Sequence, residues 1–166
     1  MVGLAVEDGR LLWRFPWATS NGVNAATPIV VTNNDLNYVF LSSGYDYGCA
    51  LLKIVKTAQG WNAEKVYQHR KMANHFSSSV LYQDHLYGFS DATLTCMEFR
   101  TGKVLWRERG TFGKGSVLAA DNHLVVLGEN GLLALVDASP AAFREKARLE
   151  FADVSSKIWS VPFGSW

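Results

Sequence analysis

The chain has 166 residues, enough for one domain with a substantial core, and its 16 Lys and Arg against 15 Asp and Glu leave a formal charge of +1. That balance gives no electrostatic reason to expect nucleic acid or an anionic membrane as partner. With 48% hydrophobic, 19% charged and 13% aromatic residues the composition is that of an ordinary globular protein, and 14 Gly beside 4 Pro suit many turns.

From the N-terminus, Met1 to Arg10 carry Glu7 and Asp8 where an export signal needs an apolar stretch. No apolar run approaches the ~18 residues of a membrane helix, so the chain as written reads as soluble and cytoplasmic. Gly9-Arg10-Leu11-Leu12-Trp13-Arg14 then finds a match in Gly102-Lys103-Val104-Leu105-Trp106-Arg107, each with an acidic residue shortly upstream, Glu7 or Glu98. Three hydrophobic stretches also correspond: Asp35 to Val39, Asp84 to Gly88 and Asn122 to Val126. Each is followed by a turn and a second apolar run, Ala50 to Val55, Thr93 to Phe99 and Leu132 to Val136. A repeat of this length governs architecture.

Within the repeat the hydrophobic period is two, as in Leu94-Thr95-Cys96-Met97-Glu98, and turns at Asn33-Asn34, Gln83-Asp84, Arg100-Thr101-Gly102 and Glu129-Asn130-Gly131 separate the runs. The pattern is all-β. One unit reads as four strands, Ser77 to Tyr82, His85 to Phe89, Thr93 to Phe99 and Val104 to Glu108. Four-stranded antiparallel sheets repeated at this length describe the blades of a β-propeller. Residues 1–17 hold an outer half-blade, 27–69, 76–109 and 115–151 make three blades, and 157–166 begin another. About three and a half blades leave the ring incomplete, which implies either a piece of a longer propeller, as a stop in mid-strand at Gly164-Ser165-Trp166 suggests, or a second copy that completes the sheets. Ser139-Pro140 to Glu145 could open a short helix, although a single turn in a loop suits it better.

The Gly-x-x-x-Trp end after an acidic residue and an apolar strand resembles the repeat of the pyrroloquinoline-quinone (PQQ) class of β-propellers, in which a Trp of each outer strand docks between neighbouring sheets. Trp13 and Trp106 would hold that docking position; Asn62 to Gln68 brings Tyr67 near it, and Phe143 to Phe151 has lost both Gly and Trp. The segments Asn24 to Pro28, Asn74 to Ser79 and Gly113 to Ser116 are similar to PQQ-like propeller proteins of environmental bacteria. The resemblance implies PQQ above a Ca²⁺ ion, held by an adjacent-cysteine disulfide, a Trp floor, a Glu, an Asn and a catalytic Asp. Here Cys49 and Cys96 are far apart, no Cys-Cys pair exists, and no acidic residue stands beside a channel motif. The two cysteines read as small buried hydrophobes. The resemblance also implies a parent family that is often periplasmic, with non-catalytic members, such as outer-membrane assembly lipoproteins, that use their blades as an interaction surface.

In a propeller the connections between blades open at one face near the channel. Aligning inner strands at Thr27, Ser78, Gly115 and Ser160 places Asn24, His75 and Lys157 three positions earlier, and Ala26, Ser77, Lys114 and Trp159 one earlier. The candidate ligand-binding residues are therefore Asn24, Thr27, Asn74, Ser77, Ser78, Lys114, Ser116, Lys157 and Trp159, with His75 as candidate general base. The competing reading is that these Ser, Thr and Asn satisfy backbone groups where strands begin. His69, His85 and His123 lack metal-ligand spacing, no metal site is read, and a Ca²⁺ in the channel would need ligands from several blades. Gly88-Phe89-Ser90-Asp91-Ala92 nearly spells a nucleophile elbow, and Gly110 to Ser116 is like a phosphate loop, but neither opens a helix as those motifs require. Three functions remain: a scaffold that binds a small molecule or protein through its channel face, a lactonase-like metal-dependent hydrolase, and a fragment of a PQQ-dependent oxidoreductase.

Overall fold

The computed structural model describes residues 1–20, 22–33, 36–151 and 156–160. The expected Asn33-Asn34 turn at Asn34, Asp35, and residues 161–166 of the last half-blade, with Gly164-Ser165-Trp166, lie outside the described residues. Among the described residues all regular structure is strand. β1 (Val2–Leu4) and β2 (Leu11–Arg14) form a two-stranded sheet. β3 (Ile29–Asn33), β4 (Leu36–Ser43), β5 (Gly48–Thr57) and β6 (Gly60–His69) form the second sheet. β7 (Val80–Tyr82), β8 (His85–Ser90), β9 (Thr93–Glu98) and β10 (Val104–Arg109) form the third. β11 (Gly115–Ala120), β12 (His123–Gly128), β13 (Leu132–Asp137) and β14 (Glu145–Glu150) form the fourth. Neighbouring strands in each sheet are consecutive and antiparallel, so the architecture is an unclosed all-β propeller of four-stranded blades. No helix among these residues is long and apolar enough to cross a membrane.

The period of two places alternate side chains on opposite faces, and both faces of the middle strands are apolar. Three clusters fill the spaces between consecutive sheets. Val39, Leu41, Leu52 and Ile54 meet Met1, Trp13, Phe15 and Trp17; Phe40, Cys49, Leu51 and Met72 meet Leu86, Met97 and Phe99; Tyr87, Phe89, Leu94 and Cys96 meet Phe112, Val117, Leu124, Val126 and Val136. Cys49 and Cys96 are free thiols within two of these clusters, and burial pushes each up to about 12.

The strand registers explain how the sheets dock. In every sheet the outermost ladder carries a bulge at the same place: Trp13, Tyr67, Trp106 and Ala147 pair with Gly3, Leu51, Cys96 and Leu135, and the residue just before each is skipped. A bulge bends the strand and re-aims the side chain that follows it. Trp106 thereby reaches the fourth sheet, where Nε1 donates to Ser139 O at 2.8 Å and the ring packs edge-on to Phe143. Tyr67 does the same one sheet earlier, its hydroxyl donating to Phe99 O at 3.0 Å. Trp13 lies over Gly3, where an added Cβ would fall 2.1 Å from the indole nitrogen.

One local expectation differs from the structure, and another, the turn in a loop at Ser139 to Glu145, agrees with it. Pairing of the inner strand begins at Val80 rather than Ser77, and ahead of it the Ser77 and Ser79 hydroxyls donate to Gly115 O and Asn74 Oδ1. Ser139 to Glu145 holds no helix: Ser139 Oγ accepts from Ala141 N in a side-chain turn, and the loop serves as the receiver for Trp106.

Trp106→Ala removes a large side chain from between two sheets and leaves Ser139 O without its donor. We expect a loss of ~3 kcal/mol, at the low end for aromatic truncation because the ring is only half-buried. Chemical denaturation measures it, and a loss below ~1 kcal/mol would contradict the docking role.

Candidate functional site

The connections that follow β2, β6, β10 and β14, together with the turns after β4, β8 and β12, gather on one face. They are tied to one another by hydrogen bonds. Ser43 Oγ donates to Asn24 Oδ1 at 2.7 Å and accepts from Trp17 Nε1 at 2.9 Å. Asp91 N donates to Ala73 O, and Ala73 N to Ser90 Oγ. Lys114 N donates to Glu129 Oε1, while Glu129 N donates back to Lys114 O. Each blade's turn is thus clasped by the connection arriving from the blade before it.

The inner strands are stitched at their starts. Thr27 N donates to Ser78 Oγ at 2.8 Å, Ser77 Oγ to Gly115 O at 2.7 Å, and Ser116 Oγ to Ser160 O at 2.9 Å. Asn74 is buried, donating to Phe89 O and accepting from Ser79 Oγ. Asn74, Ser77 and Ser116 therefore stand at the rim, but their polar atoms are engaged with protein partners. Asn24 borders a hollow of about 200 Å³ with Met1, Trp17, Leu41, Ser42 and Ser43.

His75, Lys114, Lys157 and Trp159 come together differently. His75 Nδ1 lies 3.4 Å from Lys114 Nζ, and its ring meets the edge of Tyr45 with centroids 4.6 Å apart. Phe76 stands 6.0 Å from His75 and stacks on Trp159 at 5.1 Å. The outcome is a row of four rings, Tyr45, His75, Phe76 and Trp159, whose ends are exposed at 48% and 55%. Gly44 makes room for it: a Cβ there would lie 2.8 Å from the His75 backbone. Both cations beside the row are paired, Lys114 with Asp91 at 3.1 Å and Lys157 with Glu129 at 3.3 Å. Burial raises the Glu129 carboxyl, but the hydrogen bonds from Lys114 N, Trp159 and Lys157 outweigh it and hold the group below its ordinary range.

Tyr45, Phe76, Asp91 and Glu129 are missing from the candidates read from sequence. Phe76 is adjacent to one, and Asp91 and Glu129 lie in turns that the repeat marks, so aligning the turns as well as the connections points to those two. Among the described residues no carboxylate is bonded to the His75 ring; its Nδ1 faces an ammonium group, which suits an accepting nitrogen rather than an oriented base. No group of three or more His, Cys, Asp or Glu among the described residues is placed to hold a metal ion. The residues also do not fit PQQ: the two cysteines are buried in separate interfaces between sheets and cannot form the adjacent pair.

A second titratable cluster lies behind this face. His69 Nδ1 accepts from Lys71 N at 3.3 Å and lies 3.4 Å from Cys49 Sγ, and the ring stacks flat on Tyr67 at 5.0 Å. Its Nε2 is buried without a partner among the described residues.

Fanned four-stranded sheets joined through such a loop face define a β-propeller whose working surface is built from many connections. The family model for "Outer membrane protein assembly factor BamB" matches residues 1–108, and the chain belongs to that family of PQQ-type repeat propellers. Among solved structures, BamB from Moraxella catarrhalis matches with a TM-score of 0.55 at 12% identity, over 86% of this chain and 40% of that one. Apo AztD from Citrobacter koseri matches with a TM-score of 0.41 at 12% identity, over 80% of this chain and 48% of that one. The chain thus spans less than half the length of either protein. No curated protein matches.

Burial, aided by the Lys71 charge, holds the His69 imidazole below its usual range, so the folded protein carries it neutral. The unfolded chain takes up the proton first as pH falls; stability from this group is complete above pH ~6.5 and declines below it. Melting temperature measured from pH 8 to pH 5 should fall more steeply for the wild type than for His69→Gln. Parallel curves would remove His69 as the cause.

Proposed function

We propose that this protein is a binding scaffold that takes a protein segment on its loop face, along the row Tyr45, His75, Phe76 and Trp159. The observation that carries the reading is the continuity of these rings across a turn of the second sheet and two later segments, with exposed aromatic ends and flanking charges already paired. Aromatic side chains give large contact area at small entropic cost and dominate protein recognition sites, and paired charges can form a polar rim without leaving an ion stranded. Membership in a family described by an outer-membrane assembly factor agrees with an interaction role.

On this reading His75 and Lys114 position the row rather than perform chemistry. Asn24, Thr27, Asn74, Ser77, Ser78 and Ser116 set the rim on which it rests, and Trp159 with Lys157 contributes its far end. A lactonase-like hydrolase has less support, because His75 faces Lys114 and no orienting carboxylate meets it among the described residues. A PQQ oxidoreductase has less again, for want of the cofactor's holding groups.

The test is binding to a surface-displayed library of random peptides, read as affinity. The wild type should select a subset of sequences, and Tyr45→Ala combined with Trp159→Ala should weaken that binding on the order of 10–30-fold with an unchanged melting curve. Equal binding by the double variant, or no selection by the wild type, would refute the reading.

A further inference from the structure

The row of rings on the loop face is one-sided in its hydrogen-bonding chemistry. His75 Nδ1 lies 3.4 Å from Lys114 Nζ. An ammonium group has only protons to give, so Nδ1 accepts and the ring proton sits on Nε2. Among the buried side-chain nitrogens and oxygens of the described residues only His69 Nε2 lacks a partner, so the unbonded Nε2 of His75 reaches the surface as a donor. Tyr45 presents a second donor: its ring is 48% exposed, and its hydroxyl has no partner among the described residues.

The acceptors beside these two groups are already engaged. Asp91 Oδ1 holds Lys114 Nζ at 3.1 Å, Glu129 Oε1 holds Lys114 N, and Asn74 Oδ1 holds Ser79 Oγ. Gly44 O, at the foot of the row, takes Tyr47 N at 3.2 Å. The surface therefore combines aromatic area with free donors, and its natural complement is an apolar ligand rich in carbonyl oxygens. A helix uses its carbonyls internally, so one laid on the row would cover the Tyr45 hydroxyl and His75 Nε2 with hydrocarbon and leave them unbonded. An ordinary extended segment brings one N–H for every carbonyl, and these donors would face acceptors that already hold others. A proline-rich segment in the polyproline II conformation has no internal hydrogen bonds, so its carbonyls are free, and each proline removes an N–H. Its apolar rings dock on aromatic side chains, and its preformed shape leaves little entropy to lose on binding.

We propose that the segment taken by the row Tyr45, His75, Phe76 and Trp159 is an uncharged, proline-rich stretch in the polyproline II conformation, whose carbonyls accept from the Tyr45 hydroxyl and His75 Nε2. The inference rests on the loop-face binding proposed above and adds which kind of segment is chosen. The charges agree with a neutral ligand: Lys114 is held by Asp91 and Lys157 by Glu129, so an acidic segment would have to compete with an existing ion pair. Both deciding donors stand where the second sheet meets the third, away from either end of the arc.

Fluorescence anisotropy tests it on the 166-residue chain, with the labelled peptide Pro-Pro-Leu-Pro-Pro-Leu-Pro-Pro and a matched peptide in which alanine replaces every proline. The proline-rich peptide should bind with a Kd on the order of 10–100 μM, and the alanine peptide ~10-fold more weakly. Tyr45→Phe keeps the ring and removes only the hydroxyl, and His75→Phe keeps a ring and removes the imidazole donor. Each should weaken the proline-rich peptide about five-fold, with a melting curve like that of the wild type. Should His75→Phe fail to fold, Tyr45→Phe decides alone, since its side chain is exposed. Equal affinity for the two peptides, or a Tyr45→Phe protein that binds as the wild type does, would overturn the proposal. Selection of proline-free sequences from the random library, with no binding of the proline-rich peptide, would overturn it too while leaving the loop face a binding site. Failure of both the library and the proline-rich peptide would refute the loop-face site and this inference together.

Discussion

A four-stranded sheet with apolar side chains on both faces cannot be stable alone, and everything else in this protein follows from how each sheet covers its neighbour. The device is a bulge in the outermost ladder of each sheet, which turns the next side chain out of the pleat and across the gap. Where that side chain is Trp or Tyr it brings on the order of 150–250 Å² of contact surface. Tyr67 and Trp106 also bring a hydrogen-bond donor, which finds a backbone carbonyl of the adjacent sheet's hairpin at Phe99 or Ser139. The geometry fixes spacing and angle between sheets at once. A purely aliphatic contact would fix the spacing and leave the angle loose.

That angle creates the loop face. Because successive sheets fan rather than lie flat, the turns after β4, β8 and β12 come within reach of the connections from the preceding sheet. The reciprocal bonds between Lys114 and Glu129 and between Ala73, Ser90 and Asp91 lock them there. Serines at the starts of the inner strands perform the same task nearer the axis. The aromatic row rests on both sets of joins: Tyr45 belongs to a turn of the second sheet, His75 and Phe76 to the connection into the third, and Trp159 to the segment after the fourth. No single loop could hold four rings in line. The sheets do so by holding each loop from its base.

The parts legible in the amino-acid sequence are those written locally. Strand alternation, the Asp and Gly turns, and the Gly-x-x-x-Trp ending of two repeats lead directly to four-stranded blades, and at the aligned positions Trp106 donates to Ser139 O and Tyr67 to Phe99 O. The bulges were not legible, because a skipped residue exists only relative to the partner strand. The row of rings was half legible: His75 and Trp159 stand in connections that the repeat aligns, whereas Tyr45 approaches only because Gly44 admits the His75 backbone. The serines and Asn74 carry the right chemistry for a ligand, yet the sequence cannot say whether their polar atoms face a cavity or a neighbouring strand. In the folded chain Asn74, Ser77 and Ser116 serve the strands.

The uneven state of the repeat motif has a directional meaning. A docking residue stabilises the interface ahead of its own sheet, and the sheet behind it is received by the hairpin between its third and fourth strands. The fourth sheet, which has lost both Gly and Trp, still receives Trp106 fully through Ser139 and Phe143. The first sheet keeps its Trp, but Trp13 faces a looser receiver and lines a hollow of about 280 Å³ with Trp61 and Ile54. Erosion of the motif in one repeat therefore weakens no contact that repeat makes with its predecessor. It changes only the face presented to whatever follows, which is why motif quality and blade stability need not run in parallel along such a chain.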